Sequence, residues 1–233
     1  MIADTMMRSN AEIEDFENLA ALIQTQTETP CDETQNSDTG SAEIVQEPVF
    51  TRDLDPLYKK NSDCIGWLCI PDTAIDYPVM HTPQAPQKYL HKNFDGKYSS
   101  SGVPFLQENA TLDSDNLIIY GHNMKNKTMF YEITKYRNES YCAEHPTIEL
   151  ETKRGLKRYT VFAVVPVKNN NEWYRFITAA DEYDYENRIK VISKAALYTS
   201  GTKPQYGQQL LTLSTCYGSN NIDRLIVIAV ENS

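Results

Sequence analysis

Along residues 64–230, short apolar runs rich in β-branched and aromatic residues alternate with polar segments that carry Gly, Pro, Asn and Asp. Runs of this length and composition predict strands rather than helices. The two clearest lie near the C-terminus, at 210–215 and 225–230, within LLTLSTCYGSNNIDRLIVIAV. The polar stretch 217–223 between them, with Gly218 and two Asn, turns the chain and makes a hairpin. Further strands are predicted at 66–70, 75–80, 102–106, 117–120, 148–152 and 158–167, the last two joined by a turn at 153–155. Short helices are expected at 53–60, 128–135 and 139–145, with Pro146 ending the third, and 83–91 reads as a short helix or turn. One longer helix is expected at 181–198. It carries Tyr185, Ile189, Ile192 and Ala196 on one face, acidic residues in its first turn, and Gly201 just beyond its end. Many short strands with one late helix predict a mainly β fold, a closed barrel with helical insertions.

The first fifty residues differ in pattern. Residues 11–24 place Ile13, Phe16, Leu19, Ala20 and Ile23 at helical spacing. The polar face of that helix is acidic, which anionic lipid would repel, so a helix packed on the body or frayed in solution is expected over a membrane-surface helix. Residues 25–47 are polar and read as a flexible linker. The sequence therefore divides into 1–50, an acidic helix and linker, and 51–233, a folded domain. Charge follows the same division. Residues 1–50 hold 11 of the 32 acidic residues and one of the 22 basic ones, so the remainder is neutral. A neutral body without a basic stripe argues against nucleic-acid binding. No run of 18 apolar residues occurs, and no signal-peptide pattern is visible.

Candidate chemistry gathers at the hairpin. A two-strand hairpin sets the end of one strand beside the start of the next, roughly 5 Å away, and the residues there are Cys216 and Arg224. A neighbouring guanidinium favours the thiolate, the nucleophilic form of cysteine. His122 follows the apolar stretch NLIIY and Gly121, at the mouth of a predicted strand. Cys, His and Arg at strand ends make a nucleophile, a proton-transfer group and an oxyanion or substrate clamp. Each has a plainer reading: a buried strand cysteine, a histidine bonded to a backbone carbonyl, an edge-strand charge. Asp223 could replace Arg224 as third member, but neighbours on a strand face opposite ways, so only one can face the thiol. The other histidines, His81, His91 and His145, lack such a context and read as surface or packing residues. Five cysteines without framework spacing predict no disulfide scaffold. Cys64, Cys69 and Cys142 read as buried hydrophobes, Cys31 lies in the linker, and the CxxH at Cys142–His145 lacks the ligands of a zinc site.

TLSTC followed eight residues later by Arg, with YGHN upstream, resembles the signature of the sortases, cysteine transpeptidases of Gram-positive cell surfaces. The stretches IGWLCIPDTAIDYPVM (65–80) and YLHKNFDGKYSSSGVPFL (89–106) are similar to the N-terminal barrel segments of class B members. The resemblance spans about residue 57 to the C-terminus. It implies an eight-stranded barrel with N-terminal helices and a long helix between the sixth and seventh strands, bordering the substrate groove, where 181–198 falls. It also implies catalysis by Cys216, His122 and Arg224, and substrate binding by Ser214 and Thr215 near the thiol and by Leu90 on the groove wall. No metal or other cofactor is called for. The implied reaction cleaves a C-terminal sorting motif of a secreted protein after Thr and joins that protein, through a thioacyl-enzyme, to an amine of a peptidoglycan precursor. The implied location is the extracellular face of the cell membrane. Sortases carry an N-terminal hydrophobic anchor, and its lack here is read as an anchor removed. Two other readings use the same residues: a cysteine peptidase with water as acceptor, and a sortase that polymerises pilins. A third, a non-catalytic peptide-binding module, leaves the thiol without a purpose.

Overall fold

A computed structural model describes residues 2–23, 49–218 and 222–232; the linker expected at 25–47, with Cys31, lies outside them. Nine strands form one sheet: β1 Cys64–Cys69, β2 Asp76–Met80, β3 Phe105–Leu106, β4 Asn116–Tyr120, β5 Thr147–Thr152, β6 Gly155–Lys168, β7 Tyr198–Thr199, β8 Leu210–Cys216 and β9 Asp223–Glu231. Neighbours run β5-β1-β2-β3-β4-β8-β9-β6, and a β5–β6 pairing closes the ring. This is an eight-stranded barrel. β7 is a two-residue addition, paired with Ala163 and Val164 beyond the end of β5. The β2–β3 and β4–β8 pairs are parallel and the rest antiparallel.

The unbroken hydrophobicity of β9 follows from burial on both faces. Leu225, Val227 and Ala229 point into the barrel, where they meet Leu211 and Leu213 of β8. Ile226, Ile228 and Val230 point outward and are covered by α4, Glu182–Ala195, through Tyr185 and Ile192; the short α3, Glu139–Glu144, leads into β5. Helix α4 is shorter than expected. Asp181 caps its start by accepting from the Asp184 N–H at 2.8 Å, and the chain leaves it in time for Tyr198 to join β7. It lies between the sixth and seventh strands of the eight-stranded ring.

At the other end of the chain, α1, Ile2–Leu22, packs on the barrel. Leu19 and Ile23 are buried with Leu57 of α2, Asp55–Lys60, and with Trp67 and Tyr89. The Phe16 ring meets Tyr77 edge-on, centroids 5.0 Å apart. The Glu12 carboxylate reaches a serine-rich loop. It accepts from the Ser99 hydroxyl at 2.6 Å, the Ser100 N–H at 3.1 Å and the Ser101 hydroxyl. Near β1, the Glu151 carboxylate, fully buried, accepts from the backbone of Thr51 and Arg52 and pairs with the Arg52 guanidinium. A buried charge is tolerated only when paired and hydrogen-bonded in this way. Among the described residues no helix is long and apolar enough to cross a membrane.

Candidate active site

β8 and β9 pair in register from Leu210↔Val230 to Cys216↔Arg224. Residues directly opposite on a ladder project to the same face, so the thiol and the guanidinium share the outer face at the barrel rim. Ser214 lies one step inward and opposes Tyr120 of β4 in the parallel pairing. Period-two alternation thus puts Ser214, Cys216, Tyr120 and Arg224 on one surface. His122 follows two residues after β4 ends. Gly121 serves close packing here rather than turning: a Cβ on it would sit 2.5 Å from the Phe130 ring. Its N–H donates to the Ser214 carbonyl at 3.1 Å, and its carbonyl accepts from the Thr215 hydroxyl at 2.8 Å. His122 is thereby tied to the strand that carries Cys216.

A cavity of about 490 Å³ opens at this rim, and all six residues singled out in the sequence line it: Cys216, His122, Arg224, Ser214, Thr215 and Leu90. Cys216, His122, Arg224 and Leu90 are half-buried, whereas Ser214 and Thr215 are buried. The Ser214 hydroxyl is engaged with the Tyr174 hydroxyl at 2.8 Å. Tyr174 stacks on Tyr120, centroids 5.9 Å apart, and the Tyr120 hydroxyl donates to Gln107 at 2.7 Å. Sequence reasoning missed Tyr120, Tyr174 and Gln107, which build the cavity's aromatic floor. Tyr174 sits in a 3-10 turn, Glu172–Arg175, inside the polar run NNNEWYRF, where no periodicity marks it. That turn and Asn169, rather than α4, border the cavity; α4 lies further along the barrel over Ile226 and Ile228. Asp223 does not line the cavity. It pairs with Lys168, its direct partner across β6–β9, while Arg224 takes the cavity side.

The His122 ring is held at one nitrogen. Its Nε2 lies 2.9 Å from the Leu90 carbonyl oxygen. A carbonyl only accepts, so Nε2 carries the proton and Nδ1 is the free nitrogen. Burial pushes the imidazole pKa below its ordinary value, the Leu90 bond opposes this, and the charges of His91 and Arg224 lower it further. Burial also raises the phenol pKa of Tyr120 and Tyr174, which Arg224 counters in both. The guanidinium thus acts on His122, Tyr120 and Tyr174 alike. A second imidazole, His91, stacks on His122 with centroids 5.3 Å apart and planes at 26°. His91, read from the sequence as a surface or packing residue, stands at the end of the expected helix or turn at 83–91, and nothing local marks it as part of the site. Three further described thiols lie away from the cavity. Burial pushes Cys64 up to about 11 and Cys69 up to about 12, and raises Cys142 as well.

The family model for the sortase domain matches residues 68–232. Sortase B of Listeria monocytogenes is 35% identical over 168 residues, covering 70% of this chain and 67% of that protein. The X-ray structure of Clostridium perfringens sortase B superposes with a TM-score of 0.72 at 28% identity, covering 78% of this chain and 100% of that one. Sortase B of Bacillus anthracis, at 22% identity, shares the fold with a TM-score of 0.77 over 99% of both chains. The chain belongs to the sortase family and, within it, to class B, cysteine transpeptidases of cell-wall anchoring.

Proposed function

We propose that this enzyme cleaves a C-terminal sorting motif after Thr and transfers the new acyl end to an amine of a peptidoglycan precursor. The observation that carries the reading is the convergence of Cys216, His122 and Arg224 on one cavity of about 490 Å³. Cys216 is the nucleophile. Burial keeps the resting His122 imidazole neutral near pH 7, so Nδ1 takes the thiol proton as sulfur attacks the Thr carbonyl. Arg224 stabilises the oxyanion, or holds the substrate backbone, through charge-assisted hydrogen bonds. As the tetrahedral species collapses, the imidazolium returns its proton to the leaving amine and a thioacyl-enzyme remains. The acceptor amine then attacks that thioester, loses a proton to Nδ1, and expels the thiolate, which is reprotonated. Ser214 and Thr215 act by holding the wall in shape, and Leu90 by its side chain on the wall and its carbonyl on His122. The partners are secreted proteins that carry the motif, and the site of action is the outer face of the membrane.

The test is mass spectrometry of the full chain with a panel of sorting-motif peptides, with and without an amine acceptor, beside Cys216→Ala. The expected result is a cut after Thr and a ligated product in the wild type. Cys216→Ala should lose at least about three orders of magnitude in rate. A cut without ligation at saturating amine would replace the transferase reading by a peptidase.

A further inference from the structure

His91 closes the 3-10 turn Lys88–His91, and its own side chain is exposed. That turn touches the His122 ring twice. The Leu90 carbonyl accepts from Nε2–H at the ring edge, and the His91 imidazole covers the ring face. An edge bond alone leaves the ring plane free to swing about the N–H···O axis. A second ring lying nearly parallel on the face removes that freedom. The turn is itself fixed from behind, because the Ser99 N–H donates to the His91 carbonyl at 3.1 Å and the Val103 N–H to the Tyr89 carbonyl at 3.0 Å. We propose that His91 is a positioning residue for proton transfer: its ring holds the plane of His122, and its charge opposes the imidazolium there. This rests on the reading of His122 as the proton-transfer group.

The charged and titratable groups around His122 come from every wall of the cavity. They are His91 from the turn, Arg224 from β9, Cys216 from β8, Tyr120 from β4, Tyr174 from the 172–175 turn, and Glu108 after β3. Imidazole is a group that changes charge between pH 5 and 8. For His122, the charges of both the stacked ring and Arg224 work against the imidazolium form. An imidazolium disfavoured by both neighbours is a stronger acid, which suits the step in which it protonates the leaving amine.

Two variants of the full chain separate the stacked ring from its charge. His91→Phe keeps an aromatic plate and removes the charge, whereas His91→Ala removes both. The titration of His122, followed by NMR of its carbon-bound imidazole protons, should move upward in both variants by on the order of half a pH unit. The pH–rate limb that follows His122 should move with it. kcat/KM should fall about tenfold in His91→Ala through loss of orientation, and less in His91→Phe. An unmoved titration in both variants overturns the charge part, and equal rates for the Phe and Ala variants overturn the stacking part. The titration needs no substrate. If His122→Ala retained full transfer activity, the reading of His122 would fail while the titration result stood.

Discussion

The cavity has two walls built by different means. On one side Cys216, Arg224, Ser214 and Tyr120 are placed by ladder register across β9, β8 and β4. The β4–β8 and β8–β9 ladders run there without a register shift, and the outer-face core under α4 lies behind. On the other side Leu90 and His91 sit on a single 3-10 turn with no ladder. Its support is a set of separate contacts. The Tyr89 hydroxyl donates to Asp63 and accepts from Asn61, both at 2.8 Å, Lys88 pairs with Asp63, and Glu12 grips the serines that follow. The strand wall is over-determined, so its reactive groups can be changed without disturbing the fold. The turn wall holds its shape and the orientation of His122 with the same few bonds.

That contrast is open to attack, beginning at the strand wall. Arg224→Ala should lower kcat/KM by roughly 10²- to 10³-fold, the scale for removing one oxyanion donor. The melting temperature should move little. Arg224→Lys should recover only part of the rate, because an ammonium keeps the charge without the planar fork. A large drop in melting temperature for either variant would mean that the strand wall is not independent of its rim.

At the turn wall, Gly102 has φ +61°, and a Cβ there would lie 2.5 Å from the carbonyl oxygens of both Tyr89 and Leu90. Gly102→Ala should cost about 2 kcal/mol or more, a melting-temperature drop on the order of 5 °C. Transfer activity should fall even at temperatures where the variant is fully folded, since the Leu90 carbonyl is displaced from His122. A normal rate in the folded variant would separate the turn from His122.

Glu12→Ala tests the outermost support and should cost about 1 kcal/mol, because its bonds are partly exposed. Thermal melts of the full chain would show it, with kcat/KM reduced less than in Gly102→Ala. The smallest effect is on stability against pH. The folded His122 pKa lies below the unfolded value of 6.5, so in the window between the two the unfolded state binds more protons. Stability should therefore decline as pH falls from about 6.5 through the lowered folded value, and level off below it. Urea midpoints across that window, compared with His122→Gln, isolate the contribution.

The legibility of each wall follows from its construction. Period-two alternation and strand length are local properties, so the runs at 210–215 and 225–230, and the opposition of Cys216 to Arg224, could be read directly. The rule that neighbours face opposite ways separated Arg224 from Asp223, and Asp223 indeed pairs across β6–β9 with Lys168. Tyr174 and Gln107 follow no such period. They reach the cavity because distant segments fold over it: the Tyr174 carbonyl accepts from Gln107 at 2.9 Å across 67 residues of chain. Gly121 likewise owes its place to a distant contact, since only a residue without a side chain admits the Phe130 ring there.

By itself, the sequence determined a mainly β body, a late helix with one buried face, a cysteine set against an arginine at a hairpin rim, and membership of a family through motifs in order. These depend on side-chain chemistry and on periods of two and 3.6 residues, which the chain carries locally. The tertiary structure alone decided that β1 pairs with β5 to complete the ring, and that the 172–175 turn rather than α4 borders the cavity. It also decided which nitrogen of His122 keeps its proton and which ring covers its face. Those outcomes depend on contacts between residues far apart in sequence, and their geometry exists only once the barrel has closed.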